Sequence, residues 1–139
     1  MKNIILVSHG TMAKGVYQAV NMIYGDLKNI KFLCLEENMG IDLFRKNLDK
    51  LMDGVKDSDE IIVLADLKGG SPYTSALTLL SEKGLIGKSK IVSGLNLPMI
   101  LSALFFDDEL GDDGVDEIMK SAKEGIIKFE MEESENEDL

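Results

Sequence analysis

The chain has 139 residues, 45% of them hydrophobic and 29% charged, with a formal net charge of -10 and a single cysteine, Cys34. That length fits one domain with a real core, and the acidic balance argues against nucleic acid, and against binding an anionic membrane through the bulk of the surface, since both require Lys/Arg. One cysteine excludes an internal disulfide and fits a reducing, cytoplasmic setting; the apolar runs at 4–7 and 97–106 are too short or too interrupted for a signal core or a membrane span.

Residues 4–7, Ile-Ile-Leu-Val, are β-branched-rich and read as a short buried strand. Ser8-His9-Gly10-Thr11 follows, and His9 is the only histidine. Over 12–24, Met12, Val16, Ala19, Val20 and Ile23 fall on one helical face, with Gly25-Asp26 as the stop. A second strand is expected over 30–35 and a second helix over 41–52, where Leu43, Phe44, Leu48, Leu51 and Met52 lie near one stripe. Residues 61–65 are wholly apolar and predict a third strand, running into Asp66-Leu67-Lys68-Gly69-Gly70-Ser71-Pro72. There Ser71 suits an N-cap and Pro72 the first position of a helix reaching about residue 83. A fourth strand is expected over 90–93, then a helix over 97–106 with Asn96 as cap and Pro98 near its start. Val115, Ile118, Met119 and Ala122 predict a helix over 112–124, and Ile126-Ile127-Lys128-Phe129 a last short strand. The tail over 130–139 holds six acidic residues and no basic one, and is expected to be disordered beyond a domain spanning 1–129.

Four strands alternating with helices imply an open, doubly wound, mainly parallel α/β sheet with helices on both faces. In such sheets the active groups sit beyond the carboxyl ends of the strands, where strand order reverses. Three loops fall there: Ser8 to Thr11, Asp66 to Pro72 and Gly94 to Pro98. Each leads into a helix N-terminus, which favours an anion. Taken singly, the histidine reads as a surface residue, the aspartate as a turn cap and the Gly-Gly-Ser-Pro string as a loop. Taken together they suit phosphoryl transfer. A neutral imidazole is a good nucleophile toward an activated phosphoryl group, Asp66 can hold its other ring nitrogen as N–H, and Gly69, Gly70 and Ser71 can approach phosphate oxygens. Transfer between two imidazoles is close to balanced in energy and requires no metal or other cofactor.

The motifs "VSHG", "DLKGGSP" and "GLNLPM", in this order and spacing, resemble the enzyme IIA component of the mannose family of the bacterial sugar phosphotransferase system (PTS). The resemblance runs from residue 1 to about 129. It implies that His9 is phosphorylated by the phosphocarrier HPr and passes the group to a histidine of enzyme IIB, with Asp66 orienting the imidazole. Gly10, Thr11, Gly69, Gly70 and Ser71 are the implied phosphate-binding residues. The membrane components IIC and IID would be indirect partners. It also implies a homodimer in which the short last strand can be exchanged between subunits. Leu67 departs from members with a hydroxyl residue at this position, the acidic tail exceeds the resemblance, and enzyme IIB is expected as a separate chain.

Other readings are weaker on the residues. The phosphotransfer subunit serving dihydroxyacetone kinase has a Gly-Thr-Ser type loop in place of Gly69-Gly70-Ser71-Pro72. A tetrapyrrole chelatase would need further ligands, and a histidine phosphatase a second histidine and several arginines, whereas Arg45 is the only arginine. A flavodoxin-like binding module would be expected to carry loops rich in aromatics or hydroxyls for a flavin, and the chain has no tryptophan. A regulatory domain whose phosphorylation state is read by a partner would use the same His9.

Overall fold

The computed structural model describes residues 1–25 and 27–131. Four strands, β1 (Lys2–His9), β2 (Ile30–Leu35), β3 (Glu60–Ala65) and β4 (Ser89–Ser93), form one sheet in the order β2-β1-β3-β4. All three neighbouring pairs are parallel, as the alternation of strands and helices implied. The helices are α1 (Met12–Tyr24), α2 (Ile41–Leu51), α3 (Ser71–Glu82), α4 (Leu97–Ala103) and α5 (Gly111–Glu124).

The two faces of the sheet are covered separately. Ile4, Leu6, Ile62, Leu64 and Val92 pack with α1, α4 and α5 residues such as Ala13, Val20, Met99, Ile100 and Ile118. Ile5, Val7, Ile61, Val63 and Ala65 point the other way, onto Phe44 and Leu48 of α2 and Ala76 and Leu80 of α3. Strand side chains alternate between faces, so a run that is apolar at every position must be buried on both. Burial of each such side chain is worth roughly 1.5–3 kcal/mol.

Several boundaries differ from expectation. Strand β1 runs on to His9, whose ladder partner is Leu35, because the parallel pairing continues past the apolar run. Helix α4 stops at Ala103 instead of 106. Phe105 N–H and Phe106 N–H close tight turns onto Ser102 and Ala103, which sends Phe105 into solvent and lays Phe106 against Gly114. Ser71 is not the cap of α3: Gly70 is, with Ser71 the first helical residue and Pro72 the second. The expected strand over 126–129 is absent from the single chain, which leaves α5 at Gly125 and exposes Ile126, Ile127 and Phe129. Most of the acidic tail, 132–139, lies outside the described residues. Among the described residues no helix is long and apolar enough to cross a membrane.

Candidate functional site

The sheet turns both ways from its centre. From β1 the chain crosses through α1 to β2 on one side; from β3 it crosses through α3 to β4 on the other. The crevice between the carboxyl ends of β1 and β3 is therefore the switch point, and both expected residues fall on it. His9 ends β1, and Asp66 is the first residue beyond β3. The sheet ladder holds both loops in place. Gly10 N–H donates to Leu35 O at 2.8 Å and Asp66 N–H to Val7 O at 3.2 Å, while Leu95 N–H ties the β4 loop to Ala65 O at 3.0 Å.

Oδ2 of Asp66 accepts twice from His9: from its backbone N–H at 2.9 Å and from Nδ1 at 2.8 Å. A carboxylate can only accept, so this contact fixes the proton on Nδ1 and leaves Nε2 with its lone pair. The His9 side chain is 47% exposed, whereas that of Asp66 is 12% exposed. The orienting group is thus sheltered and the imidazole open to an incoming partner. The other oxygen of Asp66, Oδ1, is buried with no hydrogen-bond partner among the described residues.

The loop after Asp66 closes over the ring. Leu67 to Gly70 form a turn in which Gly70 N–H donates to Leu67 O at 3.1 Å. Its third residue, Gly69, has φ of +80°, a conformation that a side chain disfavours. Gly70 supplies a different need. A Cβ there would come within 2.7 Å of His9 Cε1 and 3.4 Å of Nε2, so the backbone lies directly against the imidazole. Because Gly70 caps α3 without a side chain, the first turn of that helix has no side-chain cap beside the ring. Ser71 is exposed and its hydroxyl is not used in capping.

Gly10 and Thr11 stand on the α1 side of His9. The Gly10 amide is engaged with Leu35, and Thr11 occupies the N-cap of α1 without a side-chain cap bond. The cap comes instead from Ser8, fully buried, whose Oγ accepts from Ala13 N–H at 2.7 Å. Sequence reasoning missed this role; the signal available was a serine adjoining the histidine five residues before Ala13. Among the described residues no group of three His, Cys, Asp or Glu side chains converges as a set of metal ligands.

The arrangement is an oriented, half-exposed imidazole against a glycine-lined helix start, which suits nucleophilic attack on phosphorus. Comparison with known proteins gives the family. The model of the family described as "PTS system fructose IIA component" matches residues 3–122. The sorbose-specific EIIA component of Lacticaseibacillus casei is 31% identical over 98 residues, 70% of this chain and 68% of that protein. The fructose-specific EIIA component of Bacillus subtilis (strain 168) is 24% identical over 110 residues, 79% and 73% of the two. In three dimensions, the phosphotransferase system component EIIA from Streptococcus agalactiae is similar with a TM-score of 0.80 at 33% identity, over 93% of this chain and 98% of that one. The mannose/sorbose specific IIA subunit from Enterococcus faecalis gives a TM-score of 0.83 at 27% identity, over 96% and 98%. With the family match spanning most of the sequence and these structures sharing its fold over more than nine-tenths of the chain, the chain belongs to the PTS fructose IIA component family, proteins of the sugar phosphotransferase system.

Proposed function

We propose that the protein is a phosphohistidine carrier: His9 Nε2 accepts a phosphoryl group from HPr and passes it to a histidine of enzyme IIB during sugar uptake. The observation that supports this best is the 2.8 Å contact between His9 Nδ1 and Asp66 Oδ2, which leaves Nε2 as the free nucleophile on a half-exposed ring. As the Nε2–P bond forms, the bond from phosphorus to the donor nitrogen breaks and its electron pair returns to the donor ring. Nδ1 keeps its proton, so the product ring is positive and Asp66 offsets that charge. The Gly10 and Gly70 amides are engaged elsewhere. The donors available to the phosphoryl oxygens include the amides opening α3, the Ser71 hydroxyl and, on the α1 side, the Thr11 hydroxyl. In this role the protein works in the cytoplasm, as a homodimer, beside the membrane components IIC and IID, and uses no cofactor of its own.

The test is incubation with phosphoenolpyruvate, enzyme I and HPr, read as one added phosphate by mass. The label is expected to be acid-labile and base-stable, as a phosphoramidate is, and to be lost in His9→Ala. Label persisting in His9→Ala would place the acceptor elsewhere and overturn the assignment.

A further inference from the structure

We propose that Lys68 is the cation that binds the phosphoryl group on His9, an inference that rests on His9 being the carrier. Lys68 is the exposed second residue of the Leu67–Gly70 turn. That turn is held against the imidazole at both ends, by Asp66 Oδ2 on Nδ1 and by the Gly70 backbone beside Cε1 and Nε2. Lys68 stands two positions along the chain from either contact, at about 3.8 Å per Cα step. Its four-carbon stem, on the order of 6 Å extended, lets the ammonium reach a group borne on Nε2.

The charges around the site give Lys68 its purpose. A phosphoryl group brings a charge of roughly -1.5 to -2 to the site. It arrives beside the Asp66 carboxylate, and Glu36 and Glu37 follow directly on Leu35, the ladder partner of His9. Without a cation, uncharged amides and hydroxyls would have to hold it alone. The helix starts that follow the two central strands are nevertheless free of carboxylates, in a chain with 25 acidic residues against 15 basic ones. Helices α1, α3 and α4 carry no acidic residue in the first turn, and α1 instead places Lys14 there, whereas α2, which follows the outer strand β2, opens with Asp42. Helix α5, which does not follow a strand, opens with Asp112 and Asp113. An ammonium on a flexible stem can stay with the phosphoryl group as it leaves the donor nitrogen, and it exchanges no proton in the step.

The experiment compares the parent with Lys68→Met and Lys68→Arg, each phosphorylated in two ways: by phospho-HPr, and chemically by phosphoramidate, where ammonia is the leaving group. A phosphorus NMR titration of the chemically labelled protein reads the pKa of the phosphoryl group. Loss of a cation a few Å away is expected to raise it by about half a unit to one unit in Lys68→Met. Transfer from phospho-HPr is expected to slow by about tenfold, with Lys68→Arg restoring both readings toward the parent. An unchanged phosphoryl titration in Lys68→Met overturns the proposal. If phosphoramidate labels His9 but phospho-HPr does not, the HPr assignment fails while the titration still decides the role of Lys68. If neither reagent labels His9, both readings fall.

Discussion

Asp66 Oδ2 makes two hydrogen bonds to one residue, while Oδ1 is buried and unpartnered among the described residues. That asymmetry predicts the outcome of Asp66→Asn. With the amide oxygen toward His9, the new NH2 group takes the buried Oδ1 position and needs an acceptor that the carboxylate did not, an unmet donor there costing about 1–3 kcal/mol. With the amide reversed, NH2 faces Nδ1, the imidazole proton moves to Nε2, and the nucleophilic lone pair is lost. Either way the productive state is depleted, and phosphorylation is expected to slow by roughly tenfold or more without being abolished. Nitrogen-15 NMR of the only imidazole reads the tautomer directly. A parent-like tautomer together with a parent-like rate would reduce Asp66 to a turn residue. The His9–Asp66 pairing was legible in the sequence because both residues stand at the ends of apolar runs that can only be central strands. The contact between Gly70 and the ring was legible only as a glycine cluster. Nothing local tells which of two adjacent glycines meets the side chain and which supplies the turn.

The same limit recurs in the elements, whose cores were legible and whose ends were not. Apolar periodicity places α1 and β2 at their observed bounds, because burial on one face or two leaves a mark at every position. Helix ends are set in part by residues far along the chain. Glu60, the first residue of β3, accepts from Leu110 N–H at 2.7 Å and Gly111 N–H at 3.0 Å, and so caps α5 from 50 residues away. Asn96 caps α4 through Met99 N–H, as expected, but its amide also donates to Ala122 O, joining α4 to the last turn of α5. Glu60→Ala strands two part-buried amides. It is expected to cost about 1.5–3 kcal/mol in denaturant unfolding while leaving His9 labelling intact; a loss within error of zero would show that water replaces the cap. The turn before β3 adds a pH dependence. Asp59 lies below its ordinary carboxylate value, chiefly because its carboxylate accepts from Lys56 N–H, with the chain-terminal ammonium adding to the effect against the cost of burial. A depressed folded value makes the carboxylate stabilising above the unfolded value of about 4, and this contribution fades as pH falls through the folded value. Thermal scans between neutrality and pH 3 are expected to show a shallower acid loss in Asp59→Asn than in the parent. Parallel curves would remove Asp59 from the account.

At the scale of the whole molecule, one feature fits poorly with a free monomer. Beyond Gly125 the chain carries Ile126, Ile127 and Phe129 at 80%, 83% and 82% exposure. Gly125 itself packs on Pro98, where a Cβ would meet Cγ at 2.6 Å, so the body of the domain ends there. Three large apolar side chains in a row of four outside any core are a docking segment in search of a surface, and sheet edges accept such segments. Their apolar character was legible in the sequence; their lack of a place in the single chain was not, since a sequence does not distinguish a strand that completes its own sheet from one that completes another. The proposed homodimer gives the segment its partner. Sedimentation equilibrium at micromolar concentration is expected to return twice the 15.3 kDa chain mass. Truncation after Gly125 removes the segment while keeping the Pro98 contact. The truncated chain is expected to sediment as a monomer and to retain the parent's circular dichroism, because the sheet and both helical layers lie wholly before it. A monomeric parent would overturn the dimer. A truncated chain that unfolds would show that the segment belongs to the fold of its own subunit, and one that stays dimeric would move the interface to another face.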